Sequence, residues 1–389
     1  MNRFRTVADI RTARGGAARL DVLADGLSGL PRAGRIFLVT DGGVRGLGLA
    51  DAAVASLEAA GYAVDIFDTV VADPPEHVVL EGTARARAAG AEAVVGFGGG
   101  SVMDVAKLVA LLATRERDDL TLSGGALDAA YGVDRARGPR LPLVLVPTTS
   151  GTGSEVTNIA IVTTGKTSKR GVVADALYAD RVLLDAELTR GLPPSATAAT
   201  GLDAMVHAIE AFTSQHLKNP ISDALALAAL ARMRPALPRA VADGNDMEAR
   251  EAMLVGAMLA GQAFSNAPVG AVHALAYPLG GRFHVPHGLS NSLVLTEVLA
   301  FNAQEGRASR WYAEIAESLG LKASAGALID EIERLKDAVR VPRRLRELDI
   351  PASAVAELAD DALGQERLLR NNPRALRRAD MLEIYERIA

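Results

Sequence analysis

The first half of the chain alternates short apolar runs with stretches of helical length. Each apolar run is followed by glycine or polar residues, as is typical of a buried parallel strand and the turn after it. Such strands are predicted at 35–40, 62–67, 93–97 and 141–146. Helices are predicted between them at 49–61, 76–89 and 102–113, and the charged, glycine-rich segment 116–140 is predicted to be a surface loop. This alternation predicts a Rossmann-like parallel α/β sheet.

The pattern changes after about residue 190, where strand-like runs become rare and Ala, Leu and Met recur at helical spacing. Helices are predicted at 195–213, 220–241, 246–264, 269–280, 290–301, 307–319 and 324–338, with shorter ones within 351–389. A turn is predicted at Gly280-Gly281, followed by a short loop that reaches His287. The sequence therefore predicts an α/β domain over 1–188 and an all-helical domain over 189–389.

Length and composition agree with two domains in a soluble globular protein. The chain has 389 residues, 49% hydrophobic and 23% charged, which is too long for one ordinary core. Its net charge of −5 comes from both signs mixed along the chain, which gives no indication of a nucleic acid or membrane partner. No apolar run approaches the roughly 20 residues that cross a bilayer, and the N-terminus lacks the apolar segment of a secretory signal. We expect a cytoplasmic protein.

Histidine and aspartate residues in the second half indicate a metal site. The chain has no cysteine, so a metal ion would need nitrogen and oxygen ligands. Asp203 and His207 are spaced i, i+4 in a predicted helix, which places both side chains on one face. With His273 and His287 they form one carboxylate and three imidazoles, a set suited to Fe(II) or Zn(II). Taken singly, the first two could be a structural pair, His273 a core histidine and His287 a loop residue.

A further histidine lies in the same stretch. His284 precedes His287 by three residues, and three of the six histidines fall between 273 and 287. The spacing is compatible with a fifth ligand, a proton shuttle or a surface residue, and it does not choose among them.

A run of glycines directly after the third predicted strand is a candidate for nucleotide binding. It comprises Gly98, Gly99, Gly100 and Ser101, and the motif continues through Asp104. Glycines let the backbone approach a ligand closely, and the free N–H groups of the following helix suit a pyrophosphate. The pattern is not the usual GxGxxG, and a tight strand-to-helix turn without a ligand is the alternative.

Two other strand ends carry polar residues. Asp41 follows the first predicted strand, where a carboxylate either accepts hydrogen bonds from a ribose or forms a turn before two glycines. The segment 147–157, after the fourth predicted strand, is dense in hydroxyls and glycines and includes Thr148, Thr149 and Thr152. This composition suits a polar ligand such as a nucleotide ribose or a nicotinamide amide, with a solvated loop as the alternative.

Four motifs together resemble the iron-containing (group III) alcohol dehydrogenase family. The similarity runs from about residue 35 to 300, with a weaker echo at 372–374, and its motifs are GGGSVMDVAK, PTTSGTGSEVTNIA, ATGLDAMVHAIEAFTS and HALAYPLGGRFHVPHGLSN. The resemblance implies a nucleotide-binding α/β domain followed by a helical metal-binding domain, a fold of the dehydroquinate synthase type. It also implies a homo-oligomer, dimer or larger.

The resemblance implies roles for individual residues as well. It implies a divalent metal, usually iron and sometimes zinc, on Asp203, His207, His273 and His287. It implies NAD, with NADP as the alternative, over 98–101 and 148–152, with Asp41 favouring NAD. Asp104 lies within the first motif and is counted with the cofactor-binding residues, and Lys169 falls where the family has a cofactor-contacting lysine.

Two positions depart from the family's pattern. Tyr277 stands where many members have a second histidine, four residues after the first, that is thought to assist proton transfer. Either Tyr277 or His284 is therefore predicted to carry the proton, or protons leave through ribose hydroxyls and water. Asp73-Pro74 replaces the usual Asn-Pro after the second strand. The complete set of four ligands argues against the maleylacetate reductases, which share the fold but lack the full set.

These features predict a metal-dependent, NAD-linked alcohol dehydrogenase or aldehyde reductase. The metal would bind the oxygen of a small alcohol or carbonyl substrate, and hydride would pass directly between the substrate carbon and nicotinamide C4. One alternative is a reductase of an anionic carbonyl (2-oxo acid, semialdehyde or maleylacetate-like), for which Arg282 is the candidate anchor. The other alternative is a nucleotide-binding protein with a structural metal.

Overall fold

The structure is a computed structural model that describes residues 3–114, 127, 130–165 and 168–389. The chain forms two compact units. The sheet unit comprises Thr6–Thr149 and Ser154–Arg190. The helical unit comprises Ser150–Gly153 and Gly191–Ala389, together with the N-terminal stretch that ends at Arg5. Of the predicted surface loop 116–140, residues 116–126 and 128–129 lie outside the described residues.

All nine described strands belong to the sheet unit: β1 Asp9–Thr12, β2 Arg35–Asp41, β3 Ala63–Val70, β4 Ala93–Gly98, β5 Gly132–Val133, β6 Leu143–Pro147, β7 Ile159–Thr164, β8 Ser168–Val173 and β9 Arg181–Leu184. Its described α-helices are α1 Asp21–Ala24, α2 Gly42–Gly46, α3 Asp51–Ala59, α4 Glu76–Ala88 and α5 Gly100–Leu112. The four predicted strands are confirmed as β2, β3, β4 and β6, and the three predicted helices as α3, α4 and α5.

The main sheet has six parallel strands in the order β1-β9-β6-β4-β2-β3. Its central strand β4 is buried at every position, which explains why its sequence reads as a continuous apolar run. A second sheet, in the order β5-β8-β7, was not predicted. The reason lies in its sequence: β8 reads SKRGVV, where two basic residues hide the alternation that normally identifies a strand.

The strand order brings the predicted nucleotide-binding segments to one edge. In parallel strands the carboxyl ends all lie on the same side of the sheet, and ligands bind there in open α/β folds. β2 is paired with β4, and β4 with β6, where Gly98 lies opposite Pro147. Asp41, the glycine run and Thr148 therefore emerge side by side from three neighbouring strands.

The helical unit contains no strand among its described residues. Its α-helices are α6 Pro194–Phe212, α7 Pro220–Ala242, α8 Met247–Asn266, α9 Ala271–Phe283, α10 His287–Asn302, α11 Gly306–Ser318, α12 Ala325–Ala338, α13 Val355–Leu363, α14 Glu366–Leu369 and α15 Arg378–Ile388. The predicted all-helical character is confirmed. Measured on the described residues, no helix combines the length and apolar character that a bilayer crossing needs.

The turn predicted at Gly280-Gly281 is wrong. Helix α9 continues through both glycines to Phe283, and the chain turns at His284, whose φ of 55° is left-handed. A glycine inside a helix costs only about 1 kcal/mol, which the packing of a buried helix can offset. The following helix α10 begins at His287 itself, so this residue occupies a helix start instead of a loop.

Helix α6 forms the centre of the helical unit. It packs against α7, α8 and α10, and every position from Gly201 to Phe212 is buried. A Cβ atom at Gly201 would lie 2.4 Å from the Leu237 side chain on α7, so glycine is what lets these two helices approach. Polar side chains on this part of α6 must find partners inside the protein, because water does not reach them.

Candidate metal centre and cofactor site

Three helices of the helical unit bring together the four predicted metal ligands. Asp203 and His207 lie one turn apart on α6, His273 lies in the first turn of α9, and His287 is the first residue of α10. One ligand atom from each of the four side chains lies within 4.8 Å of the others. The first turns of α9 and α10 thus place the imidazoles of His273 and His287 opposite the polar side chains of α6.

The distances between these atoms fit a metal ion. Oδ1 of Asp203 lies 3.9 Å from Nε2 of His207, 4.0 Å from Nε2 of His273 and 3.7 Å from Nε2 of His287. Nε2 of His273 and Nε2 of His207 are 3.1 Å apart. In a tetrahedral site with bonds of about 2.0–2.2 Å the ligand atoms are about 3.3–3.6 Å apart. Small movements would therefore close the cluster around one ion.

The protonation of the ligands also suits a cation. Burial lowers the pKa of His207 to about 4, so its ring is neutral at neutral pH, as a metal ligand must be. Burial alone would raise the pKa of Asp203, but the neighbouring histidines and a hydrogen bond from Asn291 outweigh it and leave the pKa below its usual value. A neutral imidazole and an ionised carboxylate are thus both available.

Two residues that contact these ligands were not predicted from the sequence. Oε2 of Glu210 lies 2.6 Å from Nδ1 of His273, and Nδ2 of Asn291 donates to Oδ1 of Asp203 over 2.6 Å. Glu210 comes three residues after His207, and Asn291 four residues after His287. These are the spacings that put two side chains on one face of a helix, so the periodicity contained the signal.

The side chain of Asn291 lies against three of the four ligands. Its Nδ2 lies 3.2 Å from Nε2 of His287 and 3.3 Å from Nε2 of His273. Its Oδ1 is buried and has no hydrogen-bond partner within the described part of the chain. Around this amide, three imidazole side chains and one carboxylate converge within 4.8 Å, and this donor set suits Fe(II) or Zn(II). The residues present therefore fit a bound metal ion.

Aromatic rings border the cluster. Phe264 stacks on His207 with the ring centroids 4.3 Å apart. The ring of Tyr277 lies 6.4 Å from that of His273 and 5.8 Å from that of His287. Three of the four ligands are buried, while the side chain of His287 is 29% exposed. The least covered ligand is thus the one beside Tyr277.

The two residues predicted for proton transfer lie in different surroundings. Tyr277 is on α9, one turn after His273, and faces two of the four ligands. His284 is exposed at the end of α9. No described contact joins its ring to the cluster.

In the sheet unit, each predicted cofactor segment also serves the fold. Oδ1 of Asp41 accepts hydrogen bonds from the backbone N–H groups of Gly43 and Val44 over 2.8 and 2.9 Å and so caps α2. A Cβ atom at Gly98 would lie 2.7 Å from the side chain of Val102, so this glycine allows α5 to pack on β4. At Gly99, the N-cap of α5, no side chain caps the helix, and its first N–H groups can receive an anion.

The threonines lie beside this turn. The N–H of Thr148 donates to the carbonyl oxygen of Gly98 over 3.1 Å, and the side chain of Thr149 would contact a Cβ atom at Gly99 at 3.5 Å. Thr152 belongs to the helical unit. The backbone of Thr148 and the side chain of Thr149 thus lie beside the start of α5.

Asp104 is committed to internal hydrogen bonds. Its Oδ1 accepts from the hydroxyl of Ser154 over 2.6 Å, and its Oδ2 accepts from the N–H of Ile161 over 2.9 Å. Nζ of the fully buried Lys107 lies 3.5 Å from Oδ1 and donates to Ser154 and Thr157. This network ties α5 to the segment that leads into β7.

Lys169 forms an ion pair with Asp73, one of the two positions that depart from the family's pattern. Its Nζ lies 2.6 Å from Oδ1 of Asp73, with side-chain exposures of 7% and 46%. Asp73 has a left-handed φ of 50°, and its N–H donates to the hydroxyl of Ser101 over 3.3 Å. The pair therefore lies next to the start of α5.

Comparison with known proteins places the chain in a family. The family described as "Iron-containing alcohol dehydrogenase" matches residues 12–186, and "Fe-containing alcohol dehydrogenase family, C-terminal" matches 197–389. The chain belongs to the iron-containing alcohol dehydrogenase family. The resemblance found in the motifs is thereby confirmed. This protein is an oxidoreductase, a metal-dependent alcohol dehydrogenase that acts on a small molecule.

Relatives and solved structures agree with this membership. The chain is 41% identical to long-chain-alcohol dehydrogenase 1 of Geobacillus thermodenitrificans (strain NG80-2), over 90% of this chain and 88% of the relative. It is 36% identical to the sulfoacetaldehyde reductase of Bilophila wadsworthia (strain 3_1_6), over 90% and 91%. The crystal structure of a 1,3-propanediol oxidoreductase matches it with a TM-score of 0.91 at 32% identity over 100% of both chains.

A solved structure with a bound cofactor is also similar. Sulfoacetaldehyde reductase from Bifidobacterium kashiwanohense, in complex with NAD⁺, matches this alcohol dehydrogenase with a TM-score of 0.87 at 29% identity. The match covers 100% of this chain and 98% of that one. The predicted fold class, a Rossmann-like sheet followed by a helical domain, is confirmed by these structures.

Proposed function

We propose that this protein oxidises small uncharged alcohols, and reduces the corresponding aldehydes, by direct hydride transfer to and from NAD. The observation that carries the proposal is the cluster of Asp203, His207, His273 and His287 within 4.8 Å, with His287 partly exposed. A closed structural metal site surrounds its ion with protein ligands, whereas a catalytic site keeps one side accessible. The exposed side next to His287 favours catalysis.

The proposed metal is Fe(II), with Zn(II) as the alternative. Three imidazole nitrogens and one carboxylate oxygen suit either ion. When bound, the metal supplies Lewis-acid chemistry at the substrate oxygen, and the nicotinamide gives or accepts the hydride. Asp203 contributes one negative charge to this centre, so that a divalent ion held there keeps a net positive charge for an alcohol or carbonyl oxygen.

The chain's own residues orient the ligands and move the proton. Asn291 holds Oδ1 of Asp203 through a 2.6 Å hydrogen bond. Tyr277, whose ring lies beside His287, is the proposed proton carrier between the substrate oxygen and solvent. Phe264 covers His207 and excludes water from the buried side of the cluster.

NAD is proposed to bind at the carboxyl edge of the parallel sheet. The N–H groups at the start of α5 would receive the pyrophosphate, and Thr148, Thr149 and Thr152 would contact the nicotinamide half. Asp41 would accept from the adenosine ribose and repel a 2′-phosphate, which favours NAD over NADP. The NAD⁺ complex of a similar reductase supports this choice.

Uncharged substrates are proposed because the side chains around the cluster are aromatic. Tyr277, beside the partly exposed His287, offers an apolar contact to a carbon chain. The relative that acts on long-chain alcohols supports this class, whereas the sulfoacetaldehyde reductases favour the alternative, an anionic carbonyl. Arg282, the candidate anchor for an anion, pairs with Glu357 and Asp361, which balance its charge.

Metal reconstitution tests the proposal. Protein purified without air would be stripped with a chelator and reloaded with Fe(II) or Zn(II), then assayed with NADH and NADPH against hexanal, propanal, glyoxylate and sulfoacetaldehyde. We expect activity only in metal-loaded protein, with NADH preferred and the uncharged aldehydes reduced fastest. His273→Ala should lose metal and activity while keeping its circular dichroism spectrum. Full activity of the stripped protein would refute the proposal, and size-exclusion chromatography would test the proposed homo-oligomer.

A further inference from the structure

Glu210 is a buried carboxylate next to the metal cluster that is not one of its ligands. It lies on α6, three residues after His207, and is 6% exposed. Both of its oxygens are engaged by the start of α9: Oε1 accepts from the backbone N–H of Val272 over 2.7 Å, and Oε2 lies 2.6 Å from Nδ1 of His273. One side chain therefore holds both the backbone and the ring at the position of a ligand.

The charge of Glu210 requires compensation. Burying a carboxylate is costly unless hydrogen bonds and a positive charge accompany it. Across the described ranges, no lysine or arginine forms an ion pair with Glu210, and its side-chain partner is the imidazole of His273. The positive end of α9 supplies part of the compensation, since Val272 lies in the first turn and Gly270, the N-cap, has no side-chain cap. A cation on the far side of the His273 ring would supply the rest.

The hydrogen bond also determines which nitrogen of His273 is free. A carboxylate oxygen only accepts, so Nδ1 of His273 carries the donated hydrogen and Nε2 keeps its lone pair. Nε2 is the atom that lies 3.1 Å from Nε2 of His207 and 4.0 Å from Oδ1 of Asp203. We infer that Glu210 is a positioning residue that sets the tautomer and the rotation of His273 for metal binding. This inference rests on the proposed metal centre.

The double hydrogen bond makes the role specific to a carboxylate. Glutamine at position 210 would offer one acceptor oxygen to two donors, the N–H of Val272 and Nδ1–H of His273. If the oxygen serves Val272, the amide NH₂ faces Nδ1 and favours the opposite tautomer, which puts a hydrogen on Nε2. Aspartate keeps two acceptor oxygens but is one methylene shorter, so it should restore the role in part. Partners of metal-bound histidines typically contribute about 10- to 100-fold to metal affinity.

The test compares Glu210→Gln and Glu210→Asp with wild type and with Glu331→Gln. Glu331 is also a buried glutamate of the helical unit, but it pairs with Arg234 and Arg334, away from the cluster. Zn²⁺ affinity would be measured by competition with a chromophoric chelator. The tautomer of His273 in metal-free protein would be read from long-range ¹H–¹⁵N spectra of ¹⁵N-histidine-labelled protein, assigned with His273→Gln. Circular dichroism and urea unfolding report whether each variant folds.

We expect Glu210→Gln to weaken Zn²⁺ binding by about 10- to 100-fold and to shift His273 towards the Nε2–H tautomer. Glu210→Asp should fall between Glu210→Gln and wild type, and Glu331→Gln should match wild type in both readouts even where its stability falls. If Glu210→Gln does not fold, a folded Glu210→Ala variant with wild-type affinity and tautomer would overturn the inference. A folded Glu210→Gln protein with the Zn²⁺ affinity and the His273 tautomer of wild type would also overturn the inference. The proposed metal centre would not be affected by that result. A wild-type protein that binds no Zn²⁺ or Fe(II) would instead refute the proposed function, and the inference with it.

Discussion

Asn291 donates a hydrogen bond from Nδ2 to Oδ1 of Asp203 over 2.6 Å, and the two residues lie 88 positions apart on α10 and α6. The same nitrogen is within 3.3 Å of Nε2 of both His273 and His287. One amide thus contacts three of the four proposed ligands.

Replacing this amide should weaken metal binding. Asn291→Leu keeps a similar volume but removes the donor that orients Asp203, so Zn²⁺ affinity should fall by about tenfold or more. The measurement is chelator competition, with Ser292→Ala as control, because Ser292 is equally buried but bonds to the carbonyl oxygen of Leu289 within its own helix. Equal affinities of the Asn291 variant and wild type would show that the contact does not support the site.

A single methyl group at Gly288 should disturb the same site. A Cβ atom there would lie 2.2 Å from the carbonyl oxygen of Ala199 and 3.1 Å from Cβ of Asp203. Gly288→Ala should therefore push α10 away from α6, carry His287 away from Asp203, and lower metal affinity and thermal stability together. In Gly326→Ala, on α12, the new methyl meets nothing within 4 Å, and stability should be unchanged or raised by up to about 1 kcal/mol. Indistinguishable metal affinities of Gly288→Ala and Gly326→Ala would contradict the packing argument.

The two candidates for proton transfer should separate by mutation. Tyr277→Phe keeps the ring beside His287 but removes the hydroxyl, so kcat should fall by about 10²-fold or more, the range of a lost general acid–base group, with little change in metal content. His284→Gln, at the exposed end of α9, should keep kcat within about twofold of wild type. Steady-state kinetics with a solvent deuterium isotope effect make the comparison. The reverse order of effects would move the proton path to His284.

Asp73→Asn should alter cofactor binding through Lys169. The carboxylate of Asp73 neutralises Lys169 next to Ser101. Asparagine at position 73 would therefore leave the positive charge of Lys169 uncompensated beside the proposed pyrophosphate site at the start of α5. NADH should bind several-fold more tightly at low salt, and the gain should shrink in 0.5 M salt as the charges are screened. Asp180→Asn is the control. Asp180 pairs with Arg140 just before β9, at the amino ends of the parallel strands and therefore away from the proposed cofactor site at their carboxyl ends. Weaker NADH binding by Asp73→Asn would instead indicate that the carboxylate itself accepts from the cofactor.

Glu155 should give the protein a pH-dependent stability. Burial raises the pKa of Glu155 from its ordinary 4.5 to about 7. Between these two pH values the unfolded chain releases the proton while the folded protein keeps it, so the free energy of unfolding falls as pH rises through this window. Glu155→Gln cannot ionise, and its stability relative to wild type should grow from pH 4.5 to pH 7 by up to the order of 3 kcal/mol. Urea unfolding at pH 5 and pH 8 measures this, with the exposed Glu81→Gln expected to show no such trend.

Local periodicity in the sequence determined much of this protein. The apolar runs at β2, β4 and β6 and the helical spacing of α6 to α12 were readable because strand and helix patterns depend on neighbours only a few residues apart. The i, i+4 spacing of Asp203 and His207 gave half of the proposed ligand set in the same way. The hairpin of β7 and β8 was not predicted, since the two basic residues of β8 hide the alternation that normally identifies a strand.

Tertiary structure alone decided which distant side chains meet. The contact of Glu210 with His273 spans 63 positions, and that of Asp73 with Lys169 spans 96. No local pattern predicts these two contacts. They depend on which helices and strands become neighbours when apolar faces are buried. The same packing carried α9 through two glycines that mark a turn in the sequence. The sequence therefore determined the elements and the kinds of ligand, while the packing of α6, α9 and α10 decided that those ligands share one site.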